Sequence, residues 1–267
     1  MQQIPPLGFG TFRLEHNVAY RSVKMALEAG YRHIDTAQIY GNEREVGQAI
    51  KDSELPRDEI FVTTKVWTDN LTQERFILSV EDSLEKLQMA QVDLLLIHWP
   101  TANNASLRIA LEQLIRAKEK GYSRHIGVSN FTIANMETAL QVMPASEIFT
   151  NQVEVHPYLT NQRLLHWCKR NGIHVTGYMP FAVGKVLNDA TIGGIAQKHG
   201  VSPATVVLGW ELQQGLATIP SSTRRENMAS NLDASRLVLS QDEMAAITHL
   251  NNNDRQADPD FAPDWDA

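Results

Sequence analysis

Short aliphatic and β-branched runs alternate along the chain with longer stretches whose apolar residues recur at helical spacing. The short runs predict strands over residues 7–10, 32–36, 60–66, 92–98, 125–129, 149–154, 174–178 and 217–220. The helical spacing predicts helices over 18–29, 44–51, 73–86, 107–118, 133–142, 162–170 and 191–199, another after Pro203, and two more over 226–232 and 241–250. The last opens with Ser240 and Glu243, at the spacing where each side chain can satisfy the other's backbone N–H. Gly30, Gly121 and Gly172 follow three helices just before strands. Glycine suits that place because it takes a positive φ at little steric cost.

This alternation predicts an α/β protein with a parallel sheet. A doubly wound open sheet and a closed barrel share the pattern. Eight units within 267 residues favour the (β/α)8 TIM barrel, a parallel eight-stranded barrel. No compositional break or polar linker divides the chain, so residues 1–267 are expected to form a single domain. Residues 251–267 are acidic, contain proline and lack a period; they are expected to be an irregular C-terminal tail over the barrel mouth.

Composition narrows the function classes. Hydrophobic residues make up 43% and charged residues 21%, which excludes a disordered chain. The formal charge of −7 speaks against nucleic acid, which asks for a basic face. The single cysteine, Cys168, excludes an internal disulfide and a cysteine-based zinc site. The opening Met1-Gln2-Gln3-Ile4-Pro5-Pro6 has no basic-then-apolar pattern of a secretory signal, and no run approaches the ~18 apolar residues of a membrane span. A cytoplasmic protein with no membrane partner is expected.

The candidate chemistry sits where strands give way to loops, the face on which such barrels carry catalytic groups. Asp35 ends Tyr31-Arg32-His33-Ile34-Asp35, and Tyr40 follows in the loop. Lys65 ends Phe61-Val62-Thr63-Thr64-Lys65, and His98 ends Leu94-Leu95-Leu96-Ile97-His98. Burying Lys or Asp alone is costly, so the two are expected to pair. Such a cluster suits general acid catalysis, in which a side chain gives a proton to an oxygen that gains negative charge. Tyr40 can give that proton if a neighbouring ammonium stabilises its phenolate; a free phenol has a pKa of about 10. Lys65 is expected to supply the ammonium, Asp35 to hold it, and His98 to orient the substrate oxygen.

The chain resembles the aldo-keto reductases over essentially its whole length. The resemblance lies in ordered blocks: Gly8-Phe9-Gly10-Thr11, Tyr31-Arg32-His33-Ile34-Asp35-Thr36-Ala37, Tyr40-Gly41-Asn42-Glu43 and Thr64-Lys65-Val66-Trp67. It continues through Ile97-His98-Trp99-Pro100, Ile126-Gly127-Val128-Ser129-Asn130-Phe131, Asn151-Gln152-Val153-Glu154 with His156-Pro157-Tyr158, and Ile219-Pro220-Ser221-Ser222. Within the family it is most similar to bacterial members that reduce 2,5-diketo-D-gluconate or small aldehydes such as methylglyoxal. The resemblance implies an NADPH-dependent carbonyl reductase and gives Asp35, Tyr40, Lys65 and His98 the catalytic roles argued above.

A dinucleotide site of the Rossmann kind is not expected, because Gly8-Phe9-Gly10-Thr11-Phe12-Arg13 has arginine at the third glycine position. The resemblance implies instead that NADPH lies across the barrel mouth. Ser129, Asn130 and Gln152 would hold the nicotinamide amide, Tyr178 would stack on its ring, and residues 180–185, beginning at Pro180, would cross the pyrophosphate. Ser221, Ser222, Thr223 and Arg224 would receive the ribose phosphate, and Asn231 the adenine. Here the chain departs from its relatives: many carry Lys at the place of Ser221 and Arg at that of Asn227. Arg224 is expected to substitute for them.

For the substrate, the resemblance places Phe12, Trp67 and Trp99 around the carbonyl, with His98. Phe12 stands where many relatives have Trp, so a wider pocket is expected. The short loop after His98 points to an open mouth and broad specificity. Phe261 and Trp265 could close one side, and a hairpin beneath the barrel does not fit before Gly8. Arg13 and Arg255 are conceivable partners for a substrate carboxylate. No metal is expected: His33-x-Asp35 and Glu154-x-His156 each put two ligand types on one strand face, but further convergent ligands are lacking. A cofactor-binding subunit without catalysis is the other reading, disfavoured because all four chemical groups are present. The resemblance implies a monomer, as relatives of this size often are, and no coiled-coil heptad suggests otherwise.

Overall fold

The computed structural model describes residues 4–101 and 103–266; Met1, Gln2, Gln3, Ala102 and Ala267, counted above within the single domain, lie outside the described residues. Eight strands form: β1 (Phe9–Gly10), β2 (His33–Asp35), β3 (Phe61–Val66), β4 (Val92–Ile97), β5 (Ser123–Ser129), β6 (Ile148–Glu154), β7 (His174–Tyr178) and β8 (Ala217–Thr218). They make one sheet in chain order, each parallel to the next. Leu7 bridges Thr218 in parallel, and Gly10 N donates to Pro220 O at 3.0 Å. The first and last strands are thus bonded to each other, consistent with a (β/α)8 barrel. β1 and β8 are shorter than their apolar runs because isolated contacts, not a continued ladder, join their flanks.

Ten α-helices occur among the described residues: α1 (His16–Ala29), α2 (Glu43–Lys51), α3 (Phe76–Leu87), α4 (Asn104–Glu119), α5 (Ile133–Leu140), α6 (Gln162–Arg170), α7 (Ala190–His199), α8 (Pro203–Gln213), α9 (Arg225–Leu232) and α10 (Gln241–Thr248). Their ends follow local chemistry. Ser240 Oγ accepts from Glu243 N and Glu243 Oε2 from Ser240 N, closing the expected capping box of α10. Thr132 and Asn135 make the same box on α5. Ser202 caps α8 with Pro203 at its first turn, where a missing N–H costs nothing. Gly30, at φ 114°, stops α1.

Alternation along the strands sorts the core. Leu95, Ile97, Val62 and Val128 join the large cluster shared with the helices. Leu94, Leu96 and Phe61 join a second cluster with Ile4 and Ala217, linking β3, β4 and β8 across the sheet interior. Because side chains alternate faces along a strand, Lys65 shares the face of Phe61, His98 that of Leu94 and Leu96, and Asp35 that of His33. The polar residues thus continue the interior column at its C-terminal end.

Candidate active site

Tyr40 closes the short helical turn Gln38–Tyr40 after β2, and Gly41 leaves that turn at φ 66°. Two amides brace the turn. Gln38 Oε1 accepts from Trp67 N (2.9 Å) and Asn70 Nδ2 (3.0 Å), while its Nε2 donates to Ser79 O (3.0 Å) and Ser83 Oγ (3.1 Å). Asn42 Nδ2 donates to Thr11 O (2.9 Å) and Leu14 O (2.8 Å), and its Oδ1 accepts from Thr36 Oγ1 (2.8 Å). Neither was singled out from the sequence. Their signal, a polar amide two residues on either side of a candidate acid, says nothing of the distant backbone groups they reach.

Lys65 is fully buried, and its ammonium donates to Asp35 Oδ1, to Thr36 O at 2.9 Å and to Tyr40 Oη at 3.4 Å. The other Asp35 oxygen accepts from Gln152 Nε2 at 2.8 Å. His98 packs edge-on against Tyr40 at 5.7 Å between ring centres and against Trp67 at 5.3 Å. The four expected residues therefore converge.

Their electrostatics differ from the expectation in one respect. Burial, with the Asp35 carboxylate second, holds the Tyr40 phenol well above its ordinary range. The net direction is upward even though the Lys65 ammonium stands 3.4 Å from the phenol oxygen. The ammonium is itself pulled down by burial and is engaged by Asp35. Burial, then the nearby Lys65 charge, holds His98 well below the usual imidazole range, so its ring is neutral near neutral pH. His98 Nδ1 is buried without a hydrogen-bond partner among the described residues.

Tyr40, His98 and Asp35 open into a cavity of about 710 Å³. Phe12, Trp67 and Trp99 line it, and so do Ser129, Asn130, Gln152, Tyr178, Pro180 and Ser221. Asn130 takes a left-handed backbone (φ 61°), donates to His98 O (3.0 Å) and Ser129 Oγ (3.2 Å), and accepts from Tyr178 Oη (2.7 Å). Ser129 Oγ donates to Gln152 O at 2.8 Å. Hydroxyl and amide groups beside an aromatic face form a donor set that fits a nicotinamide carboxamide and ring.

Ser222, Thr223, Arg224 and Asn231 do not line this cavity. Ser222 Oγ accepts from Arg224 N at 3.1 Å just before α9. Arg225 pairs with Glu28, whereas the exposed Arg224 makes no ion pair among the described residues. Asn231 is buried on α9 beside Tyr31, whose phenol donates to Met228 O at 3.1 Å.

The irregular tail contributes Gln256, Ala257, Asp258, Pro259 and Phe261 to the same cavity. Phe261 meets Trp67 and Trp99 edge-on at 5.7 and 5.6 Å, and Trp265 meets Trp99 at 6.0 Å. Arg255 lies over Trp265, 3.6 Å from the ring centre. Glu154 and His156, weighed above as metal ligands, bond to each other at 2.7 Å. No group of three or more His, Cys, Asp or Glu residues suited to a metal occurs among the described residues. Nor does any described helix have the length and apolarity to cross a membrane.

The fold and site define a class, and comparison with known proteins agrees. The aldo/keto reductase family model matches residues 6–252, and the chain belongs to that family. It is 49% identical to methylglyoxal reductase DkgB of Escherichia coli O157:H7 over 98% of this chain and 99% of that protein. It is 41% identical to glyoxal reductase of Bacillus subtilis (strain 168), covering 95% and 91%. A crystal structure provisionally assigned as a 2,5-diketo-D-gluconic acid reductase B matches with a TM-score of 0.94 at 41% identity, over 99% of this chain and 94% of that one. The protein is thus an oxidoreductase acting on carbonyl groups.

Proposed function

We propose that this protein is a cytoplasmic, monomeric, single-domain NADPH-dependent reductase of small aldehydes and ketones, with Tyr40 as proton donor. Methylglyoxal-like aldehydes and 2,5-diketo-D-gluconate, reduced to 2-keto-L-gulonate, are its candidate substrates, supported by the names of its relatives. One observation carries the reading: Tyr40 Oη stands 3.4 Å from a fully buried ammonium, on the cavity that His98 and the aromatic walls share.

Ser129, Asn130, Gln152 and Tyr178 would hold the nicotinamide, with Pro180 beside it and Ser221, Ser222, Thr223, Arg224 and Asn231 toward the phosphate and adenine end. When bound there, the cofactor would supply the hydride that the carbonyl carbon takes up. Tyr40 keeps its proton through the neutral range because of its burial, and donates it to the carbonyl oxygen as that oxygen becomes basic. The charge then left on the phenol oxygen faces Lys65, held in place by Asp35 and Thr36 O. Neutral His98 orients the carbonyl oxygen. Phe12, Trp67, Trp99 and the tail across the mouth exclude water, which strengthens each of these interactions.

Loss of reduced-nicotinamide absorbance with methylglyoxal, a panel of small aldehydes and 2,5-diketo-D-gluconate, each with NADPH and NADH, tests the reading. Turnover should occur with NADPH and persist in excess chelator; no turnover across the panel would reject it. Among the described residues Arg224 makes no ion pair, whereas Arg225 pairs with Glu28, and a free guanidinium suits a phosphate. Arg224→Ala is therefore expected to raise the KM for NADPH about tenfold, a loss of about 1.4 kcal/mol, with the KM for NADH held. An unchanged ratio of the two would remove Arg224 from the cofactor site.

A further inference from the structure

Glu154 ends β6 with its carboxylate fully buried; among the described residues no lysine or arginine reaches ion-pair distance, and the cation that feels its charge is Arg255, on the tail itself. Its partners are backbone amides of the tail. Oε1 accepts from Gln256 N at 2.8 Å and from His156 Nε2 at 2.7 Å; Oε2 accepts from Ala257 N at 2.7 Å. Both oxygens are therefore committed to holding one short stretch of chain, more than 100 residues away in sequence.

That stretch is the near end of the cavity wall. Gln256 and Ala257 line the cavity, and Asp258, Pro259 and Phe261 continue the wall toward Trp67 and Trp99. Beyond the wall the tail is caught again, where Ile133 N donates to Asp266 Oδ2 at 2.9 Å at the start of α5. Between these two points no backbone hydrogen bond ties the tail to the barrel among the described residues; its links there are ring contacts. A segment with so few backbone bonds has little stability of its own, and its place depends on its anchors.

We propose that Glu154 is a positioning residue for substrate binding: through the amides of Gln256 and Ala257 it fixes the tail as one wall of the carbonyl pocket. This rests on the reductase reading. Glu154 does not line the cavity and would not touch the reacting atoms. It sets where Phe261 stands against the two tryptophans, and so how well a small carbonyl compound is held over Tyr40.

Charge-assisted bonds from a carboxylate to two amides cannot be reproduced by glutamine, whose NH2 would face an N–H. Glu154→Gln should therefore raise the KM for methylglyoxal by about tenfold, with kcat and the Kd for NADPH within about twofold of the parent. Hydrogen exchange at the amides of residues 256 and 257 should accelerate in the same variant. In a chain ending at Asp254 the KM should already be raised, and adding Glu154→Gln should change it less than about twofold, because the two changes act through one element. Should Glu154→Gln not fold, Ala257→Pro removes one donor from the tail side and carries the same expectations.

Faster exchange at 256 and 257 with an unchanged KM would overturn the proposal, since the wall would then be loose without consequence. An equal rise in KM on adding Glu154→Gln to the shortened chain would overturn it too, because the effect would not run through the tail. No turnover by the parent with any carbonyl compound would defeat the reductase reading, and this proposal with it. Turnover by the parent with an indifferent Glu154→Gln defeats this proposal alone.

Discussion

At Tyr40 two influences compete, and their order decides the chemistry. Burial and the Asp35 carboxylate favour the neutral phenol; the Lys65 ammonium, already engaged by Asp35, does not reverse them. A group that holds its proton is a reservoir for acid catalysis, so Tyr40→Phe should lower kcat by about 10²–10⁴-fold. The Kd for NADPH, measured by fluorescence titration, should stay near the parent value because the hydroxyl is not part of the proposed cofactor contacts. Retained turnover in Tyr40→Phe would show that another group gives the proton. The four residues were legible because Asp, Lys and His at the ends of apolar strands need a reason to be buried there. The direction of the Tyr40 shift was not legible: the ring is half-buried at the cavity beside the Asp35 carboxylate only once the barrel has folded, and a spacing of five residues from Asp35 does not reveal it.

The elements were legible where pattern and local chemistry agree. The eight strands follow the apolar runs, and α6 and the capping box of α10 fall where spacing and side chains place them. Boundaries moved where nonlocal bonds decide. α4 starts at Asn104, earlier than its apolar period, because Asn103 Oδ1 accepts from Ser106 N and caps it. Glu154 was read with His156 as a possible ligand pair; the two do bond to each other, but the tail amides that also hold the carboxylate have no sequence signature. Gly47 on α2 shows the same limit in packing. In an isolated helix Gly47→Ala should gain about 1 kcal/mol. Here a Cβ at Gly47 would lie 2.4 Å from Leu87 O at the end of α3, a backbone atom that cannot swing aside. The clash should win, and Gly47→Ala is expected to destabilise by about 1–3 kcal/mol, read from the urea midpoint at constant m. A stabilised variant would mean that α2 and α3 can separate freely.

The barrel as a whole keeps its chemistry at one end and a buried histidine at the other. His33 is fully buried beneath the site, between Pro5 O and Thr63 Oγ1, each at 3.3 Å, with Phe61 edge-on at 5.2 Å. Burial pushes its pKa down to about 4. In the unfolded chain the same imidazole titrates near 6.5, so between about pH 6.5 and 4 the unfolded state binds a proton that the folded state refuses. Stability from this group is therefore full above about 6.5 and is lost as the pH falls toward 4, by roughly 3 kcal/mol in all. Other buried groups act in the same range with either sign. His98, also held low, adds to the loss, while Glu211, raised by burial, opposes it. A single acid profile would mix them, so the informative quantity is the gap between the parent and His33→Gln. That variant keeps a polar side chain but cannot titrate. At neutral pH it should be the less stable protein, having lost a packed ring. On acidification the parent should lose stability faster, and the gap measured by urea unfolding should narrow by about 2–3 kcal/mol on approaching pH 4. A gap that stays constant would mean that His33 takes up its proton inside the folded barrel, and that the interior below the site is wetter than its packing indicates.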